Sequence, residues 1–453
     1  MIAPSLQQVF NSLEGEPLVP EACEKASADT ALRMVFLRDD QGPVQVIHRY
    51  DHLLDLDRLN QALGRRLRSL PRKELARLQQ RHQLRLLPAL PGLTHYTTVV
   101  DNAVGETPRV ALGDGSGEGY LQLGQAEYQR LLEGVQWLDC ATSLSGIRIN
   151  HTAPEKDESQ LQHALERFTG LRIQQRLDDT LDIPPLPETA QRILHLRMNP
   201  NAEVGELADI VESDPSLAAQ VVSWASSSFY ASQAPVRSIY DAIMRVLGFD
   251  LVMNLAMGLA LGRALKQPTD APEGFIGYWK QSIWMAQSTA SLVALMPRRE
   301  RPEFGLAYLG GLLHNFGYLV LAHVFPPHFS LICRYTEANQ HLDSDYSEQY
   351  LIGVTREQIA SELMQLWQMP PEVITAIRHQ KTPDFRGDNA IYARLLYLAR
   401  ALLIERGVPL GPPMALPEDI YQSLSLNPDK VAEEMDMLAE QSDHVNIMAG
   451  MMS

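Results

Sequence analysis

Strand signals fill the first third of this 453-residue chain and then stop. Short apolar runs separated by turn residues recur up to about residue 123. From about residue 183 to 405 the apolar residues recur at helical spacing instead. A change of period of this kind predicts separate domains, an α/β (α+β) one followed by an all-α one, in a chain long enough for more than one core. The polar, proline-containing stretch Asn150–Asp157 marks the boundary. The expected division is an α/β domain over 1–150, a linker and connecting helix over 151–182, a helical domain over 183–405, and a loop with a Met-rich helix over 406–453.

Composition narrows the class. Hydrophobic residues at 45% and charged residues at 21% are ordinary for a soluble globular protein. A formal net charge of -16 argues against nucleic-acid binding through bulk charge. The first residues carry no basic region ahead of an apolar core, so no secretory signal is expected. Apolar runs stop short of the roughly 18 uninterrupted residues of a membrane span, so none is expected. Cys23, Cys140 and Cys333 are far apart and odd in number. They read as reduced thiols of a cytoplasmic protein and exclude a CxxC metal site.

In the first domain, Met34–Leu37 and Val44–Ile47 flank Asp39-Asp40-Gln41-Gly42, which predicts a hairpin. Asp55 and Asp57 open a helix at its positive end. Further strands are expected at 97–100, 109–112 and 120–123, with a helix near 125–132. The glycine-rich run Gly113–Gly119 lacks the Gly-Lys-Ser/Thr ending of a phosphate-binding loop and reads as a hairpin loop. Lys73, Arg77, Arg81 and Arg85 fall four apart, as on one drifting helix face. Such a face is either solvated or a docking strip for phosphates or an acidic partner.

The segments RMVFLRDDQG (33–42), LDLDRL (54–59) and PGLTHYTTVVDNAV (91–104), in this order, resemble the YbaK-like family of prolyl-tRNA-type editing deacylases. The resemblance implies a lysine at the head of the first strand, needed for hydrolysis. Arg33 stands at that position here. An arginine stays protonated and does not reproduce an adjustable ammonium, so the resemblance implies a degenerate deacylase.

In the second half, Asp214-Pro215 supplies a cap and a first-turn proline, Ser238 and Asp241 form a capping box, and Gly248 reads as a stop. Trp224, Trp279, Trp284 and Trp367 lie on apolar faces and read as core. The tail Asp429–Met451 reads as one amphipathic Met-rich helix docked on the body, or as an adaptable partner surface. IPPLPETAQRIL (183–194), DPSL (214–217), VRSIYDAIMRVLGFDLVMNLAM (236–257) and Trp279-x-x-Ser282 occur in order and resemble the HDOD domain, a degenerate relative of the HD phosphohydrolases. HD enzymes gather imidazoles and carboxylates from several helices around one or two metal ions. Matched to that pattern, the positions are Gln281, His314-Asn315, Arg356, His379 and Arg400. Two imidazoles remain; the two acids are replaced by an amide, Asn315, and a guanidinium, Arg400, and two further imidazoles by Gln281 and Arg356.

The two resemblances together imply a bacterial signal-transduction protein that is a pseudo-enzyme in both domains, without cofactor or metal. Its HDOD module would bind a protein partner, or a nucleotide or other anionic ligand through Arg356 and Arg400, and its deacylase-like domain would sense or dock. The alternatives are an HD-type metal-dependent phosphohydrolase or phosphodiesterase, and an aminoacyl-tRNA editing hydrolase.

Overall fold

The computed structural model describes residues 3–12, 18–175, 185–226 and 236–452. They form two compact units. Met1–Arg148, Asp270–Gly274 and Ser330–Leu351 make the first; Ile149–Thr269, Phe275–Phe329 and Ile352–Ser453 make the second. The first break, between Arg148 and Ile149, lies just ahead of the stretch Asn150–Asp157. The two later segments correct the sequence-based division, which assigned them to the helical domain.

The first unit is mixed α/β. Its strands are β1 (Glu21–Cys23), β2 (Leu32–Asp39), β3 (Gly42–Arg49), β4 (His52–Leu54), β5 (Arg68–Ser69), β6 (Thr97–Asp101), β7 (Arg109–Gly113), β8 (Tyr120–Gly124), β9 (Gln136–Leu138) and β10 (Ala141–Ser143). They build a five-stranded sheet in the order β5-β2-β3-β6-β9, a three-stranded sheet β1-β8-β7 and the pair β10-β4. The expected hairpin is β2–β3, closed with Asp39 opposite Gly42. The Gln41 N–H donates to Asp39 Oδ1 at 2.9 Å, so the turn acid orders its own backbone.

Alternation along these strands feeds two cores. Leu32, Met34, Phe36 and Ile47 point to one. Val35, Leu37, Val44 and Val46 point to the other, where Tyr335, Ala338 and Leu342 meet them. The segment Ser330–Leu351 is also held by polar bonds. Asn339 Oδ1 accepts from the Leu54 N–H at 2.7 Å, and its Nδ2 donates to the Leu54 carbonyl at 3.1 Å. A side-chain amide thus pairs with β4 as a strand residue would. Tyr335 and Tyr350 donate their hydroxyls to the two oxygens of Asp55, at 2.8 and 2.6 Å. Asp55 is itself the N-cap of the helix Leu56–Leu63, as its place in the sequence implied. The chain separation of about 280 residues kept these partners out of reach of local sequence pattern.

The second unit is helical. Asp214 caps Pro215–Ala225 and Ser238 caps Ile239–Asp241, and the chain turns out at Gly248 (φ 83°). Trp224, Trp279, Trp284 and Trp367 are buried, as their spacing suggested. Phe304–Val324 has the length and composition of a membrane span, yet 94% of that window is buried inside the protein. It serves as core. The tail is not one helix but two, Pro428–Glu440 and Ser442–Met452, separated at Gln441. Met435, Met448 and Met452 are buried on it, whereas Met437 is exposed. Of the IPPLP run, Ile183 and Pro184 lie outside the described residues, as does much of the connecting stretch.

One buried acid ties the start of this unit to its body. Asp157, at the head of the helix Asp157–Gln175, receives both Nε and Nη2 of Arg378. Gln358 Nε2 donates to the same carboxylate at 2.7 Å and Asn150 Nδ2 at 2.9 Å. Both members of the ion pair are buried. Asp157→Ala strands a buried cation, and is expected to cost about 3–5 kcal/mol in chemical denaturation. Asp157→Leu combined with Arg378→Met is expected to recover most of that loss, because the stranded charge goes with it.

Candidate functional site

The site is built around a break in an apolar run. The helix Phe304–Leu313 ends at His314, and Asn315 leaves helical geometry (φ -108°, ψ 20°) before Phe316–Val324 begins. Two glycines let neighbouring backbones approach the break. A Cβ on Gly311 would stand 2.6 Å from Ala286 Cα, and one on Gly317 only 2.1 Å from the Arg356 carbonyl oxygen. The close approach at Gly317 brings the start of the helix Arg356–Leu366 against the break.

A chain of hydrogen bonds then runs across three helices. Arg356 Nη1 donates to Asn315 Oδ1 at 3.0 Å. Asn315 Nδ2 donates to Gln281 Oε1 at 3.0 Å. Gln281 Nε2 donates to the Ile276 carbonyl at 2.6 Å. Gln281 and Asn315 are buried. The Arg356 guanidinium also lies 5.5 Å from the centre of the Tyr318 ring, a cation–π distance, and Tyr318 stacks on Phe275. Tyr318 and Phe275 were not singled out by sequence, because aromatic residues in apolar runs read as core.

His314 takes backbone partners; His379 takes an aromatic one, and its buried Nδ1 has no hydrogen-bond partner. His314 Nδ1 donates to the Gly311 carbonyl at 3.0 Å, and the His314 carbonyl accepts from Gln380 Nε2 at 2.8 Å. His379 stacks on Phe385, with centroids 3.7 Å apart and planes 6° from parallel. Burial lowers the His314 pKa to about 3, and Arg400 and Arg356 act in the same direction. Burial also lowers that of His379, to about 4, with Arg378 adding to the effect. Arg400, on the helix Ala390–Glu405, is buried and donates to the Leu410 carbonyl at 3.1 Å. Glu357, next to Arg356, is paired with Lys381 at 3.0 Å.

These residues do not fit a divalent cation. The carbonyl oxygens of Asn315 and Gln281 already accept hydrogen bonds, and a guanidinium nitrogen stands at the place a metal would have to approach. Among the described residues, no group of three or more His, Cys, Asp or Glu side chains is arranged to hold a metal ion. What the arrangement does is join three helices through buried polar groups.

The other expected positions lie in the first unit. Arg33 sits on β2 directly opposite His48 on β3. Burial brings its pKa down to about 10, so it stays protonated at neutral pH. Lys73, Arg77 and Arg81 are exposed on the helix Arg72–His82. Arg85 is not on that helix, which corrects the expected four-residue stripe. Gln83 turns the chain out at φ 56°, and the Arg85 N–H donates to the Gly115 carbonyl at 2.8 Å.

Residues 183–383 match the model of the HDOD domain. The chain is an HDOD-domain protein. A crystal structure of a candidate signal transduction protein from Marinobacter aquaeolei VT8 is 53% identical, with 99% of each chain covered and a TM-score of 0.90. A protein of Treponema pallidum (strain Nichols) is 24% identical over 217 residues, 47% of this chain; the match spans only 39% of that relative's length. A candidate trans-editing enzyme for prolyl-tRNA synthetase is 18% identical, with 26% of this chain and 74% of that one covered and a TM-score of 0.23.

The buried histidines of the HDOD domain contribute stability that is lost in acid. An unfolded His314 takes up a proton near pH 6.5, and the folded one does so only near pH 3. The associated stability is complete above about pH 6.5 and is lost progressively as pH falls toward 3, by about 1.4 kcal/mol per pH unit at most. Denaturation of His314→Gln between pH 7 and 5 is expected to show a shallower loss than the parent. Identical slopes would mean that folding does not shift the His314 titration.

Proposed function

We propose that this chain is a non-catalytic regulatory protein of bacterial signalling whose HDOD domain is a rigid binding platform. The observation that carries the reading is the Gln281–Asn315–Arg356 chain of hydrogen bonds. It uses amides and a guanidinium where an HD enzyme uses acids and imidazoles. Buried polar atoms left unpaired cost about 1–3 kcal/mol each. Occupying one another, these side chains stabilise the meeting point of the helices without a ligand. Resemblance along nearly the whole length to a protein described as a signal transduction candidate supports the regulatory part of the proposal. In the first unit, a permanently protonated arginine at the lysine position favours sensing or docking over tRNA editing.

The test is an activity assay on the full-length protein. Bis(p-nitrophenyl) phosphate and a cyclic dinucleotide are offered with Mn²⁺, Fe²⁺ or Mg²⁺. The expected result is no hydrolysis above that of the His314→Ala variant. Metal-dependent turnover that disappears in His314→Ala would establish an HD-type phosphohydrolase instead.

A further inference from the structure

A second group of polar side chains, two buried and one half-buried, lies in the first unit, apart from the HDOD residues. Arg33 and His48 face each other across β2 and β3. Their positions continue the side of the sheet lined by Val35, Leu37, Val44 and Val46, the side met by the segment Ser330–Leu351. That segment brings His341 to the same place. Its ring centroid lies 5.5 Å from that of His48 and 4.9 Å from that of Tyr50. His48 is fully buried and His341 is 9% exposed.

Three polar atoms here have no partner. They are Arg33 Nε, His48 Nε2 and His341 Nδ1. No carboxylate pairs with Arg33 among the described residues, and the nearby Asp51 is engaged by Arg49, at 2.9 and 2.7 Å, and by His52, at 2.7 Å. Arg33 is half-buried with its Nε shielded from solvent, and a shielded guanidinium without a counter-charge is unfavourable. Two unpaired imidazole nitrogens beside it add to that cost. Groups left this way in a well-packed unit point to a ligand.

The tautomers say what kind. His48 Nδ1 is 2.8 Å from the Arg49 carbonyl, and His341 Nε2 is 3.2 Å from the His52 carbonyl. Carbonyls only accept, so each of those nitrogens carries the hydrogen. The free nitrogens, His48 Nε2 and His341 Nδ1, therefore present lone pairs. Burial and the charge of Arg33 both disfavour a second proton on either ring. The site thus offers one cation and two acceptors.

We propose that Arg33, His48 and His341 form a binding site for a small anion that also carries two hydroxyl donors, such as dihydrogen phosphate or a dihydroxy-carboxylate. The anionic oxygen pairs with the Arg33 guanidinium and the hydroxyls donate to the two imidazoles. One of its three residues comes from a segment some 290 positions away in the chain, so ligand occupancy strengthens the hold of Ser330–Leu351 on the sheet. This is independent of the platform reading of the HDOD domain.

The experiment is thermal unfolding and calorimetric titration of the full-length protein with inorganic phosphate, with sulfate and chloride as comparisons. Phosphate at neutral pH is in part dihydrogen phosphate, with two hydroxyls, and sulfate has none. The proposal expects a saturable rise of a few degrees with phosphate, a clearly smaller one with sulfate and none with chloride. Arg33→Met is expected to lose the phosphate response while melting at or above the parent in phosphate-free buffer, since it removes a stranded charge. His48→Phe provides a second variant that keeps the cation and is expected to bring the phosphate response down to that of sulfate. Absence of saturable phosphate binding to the parent overturns the site. So does a response that survives in Arg33→Met. A sulfate response equal to that of phosphate overturns the acceptor roles of the imidazoles and the hydroxylated ligand class with them.

Discussion

The hydrogen bond from Arg356 to Asn315 is the interaction on which the HDOD domain turns. Asn315 sits at a helix break buried among apolar side chains, where an unpaired amide would work against folding. Its oxygen is taken by Arg356 and its nitrogen by Gln281, so three helices must arrive in one register for the amide to be satisfied. Apolar packing alone tolerates small slips between helices; a pair of directed bonds does not. Gly317 makes the arrival possible, since any side chain there would collide with the Arg356 backbone.

Arginine stands at positions expected to be catalytic in both units, but the surroundings differ. In the helical unit Arg356 and Arg400 find neutral acceptors, the Asn315 amide and the Leu410 carbonyl, and His314 beside them is held neutral. In the α/β unit Arg33 faces two imidazoles whose free nitrogens are unpaired. The proposed platform and the proposed anion site therefore share a residue type and differ in what surrounds it. Charge alone did not distinguish the two; the difference lies in the acceptors that surround each guanidinium.

Much of the fold was legible because local rules carried it. The β2–β3 hairpin, the Asp55, Asp214 and Ser238 caps and the buried tryptophans all follow from turn chemistry, capping and periodicity. The non-local elements were not legible. Asn339 pairs with β4 and Tyr335 with Asp55 through side chains whose partners are hundreds of residues away, so the membership of Ser330–Leu351 in the first unit has no local signature. Arg85 fell off its expected stripe because one left-handed residue, Gln83, ends the helix. At the candidate site the residue types were readable from their spacing, but their bonding was not. His341 left no signal at all, since only the tertiary fold brings it to Arg33 and His48.

The account rests on amides and a guanidinium replacing metal ligands, and metal content tests this most directly. The full-length protein, incubated with excess Mn²⁺, Fe²⁺ or Zn²⁺ and then desalted, is to be measured by elemental analysis beside Arg356→His/Asn315→Asp. The expected result is well under one metal ion per parent chain. One or two tightly held ions per chain, lost on replacing His314 or His379, would contradict the account and return the chain to the metal-dependent phosphohydrolases.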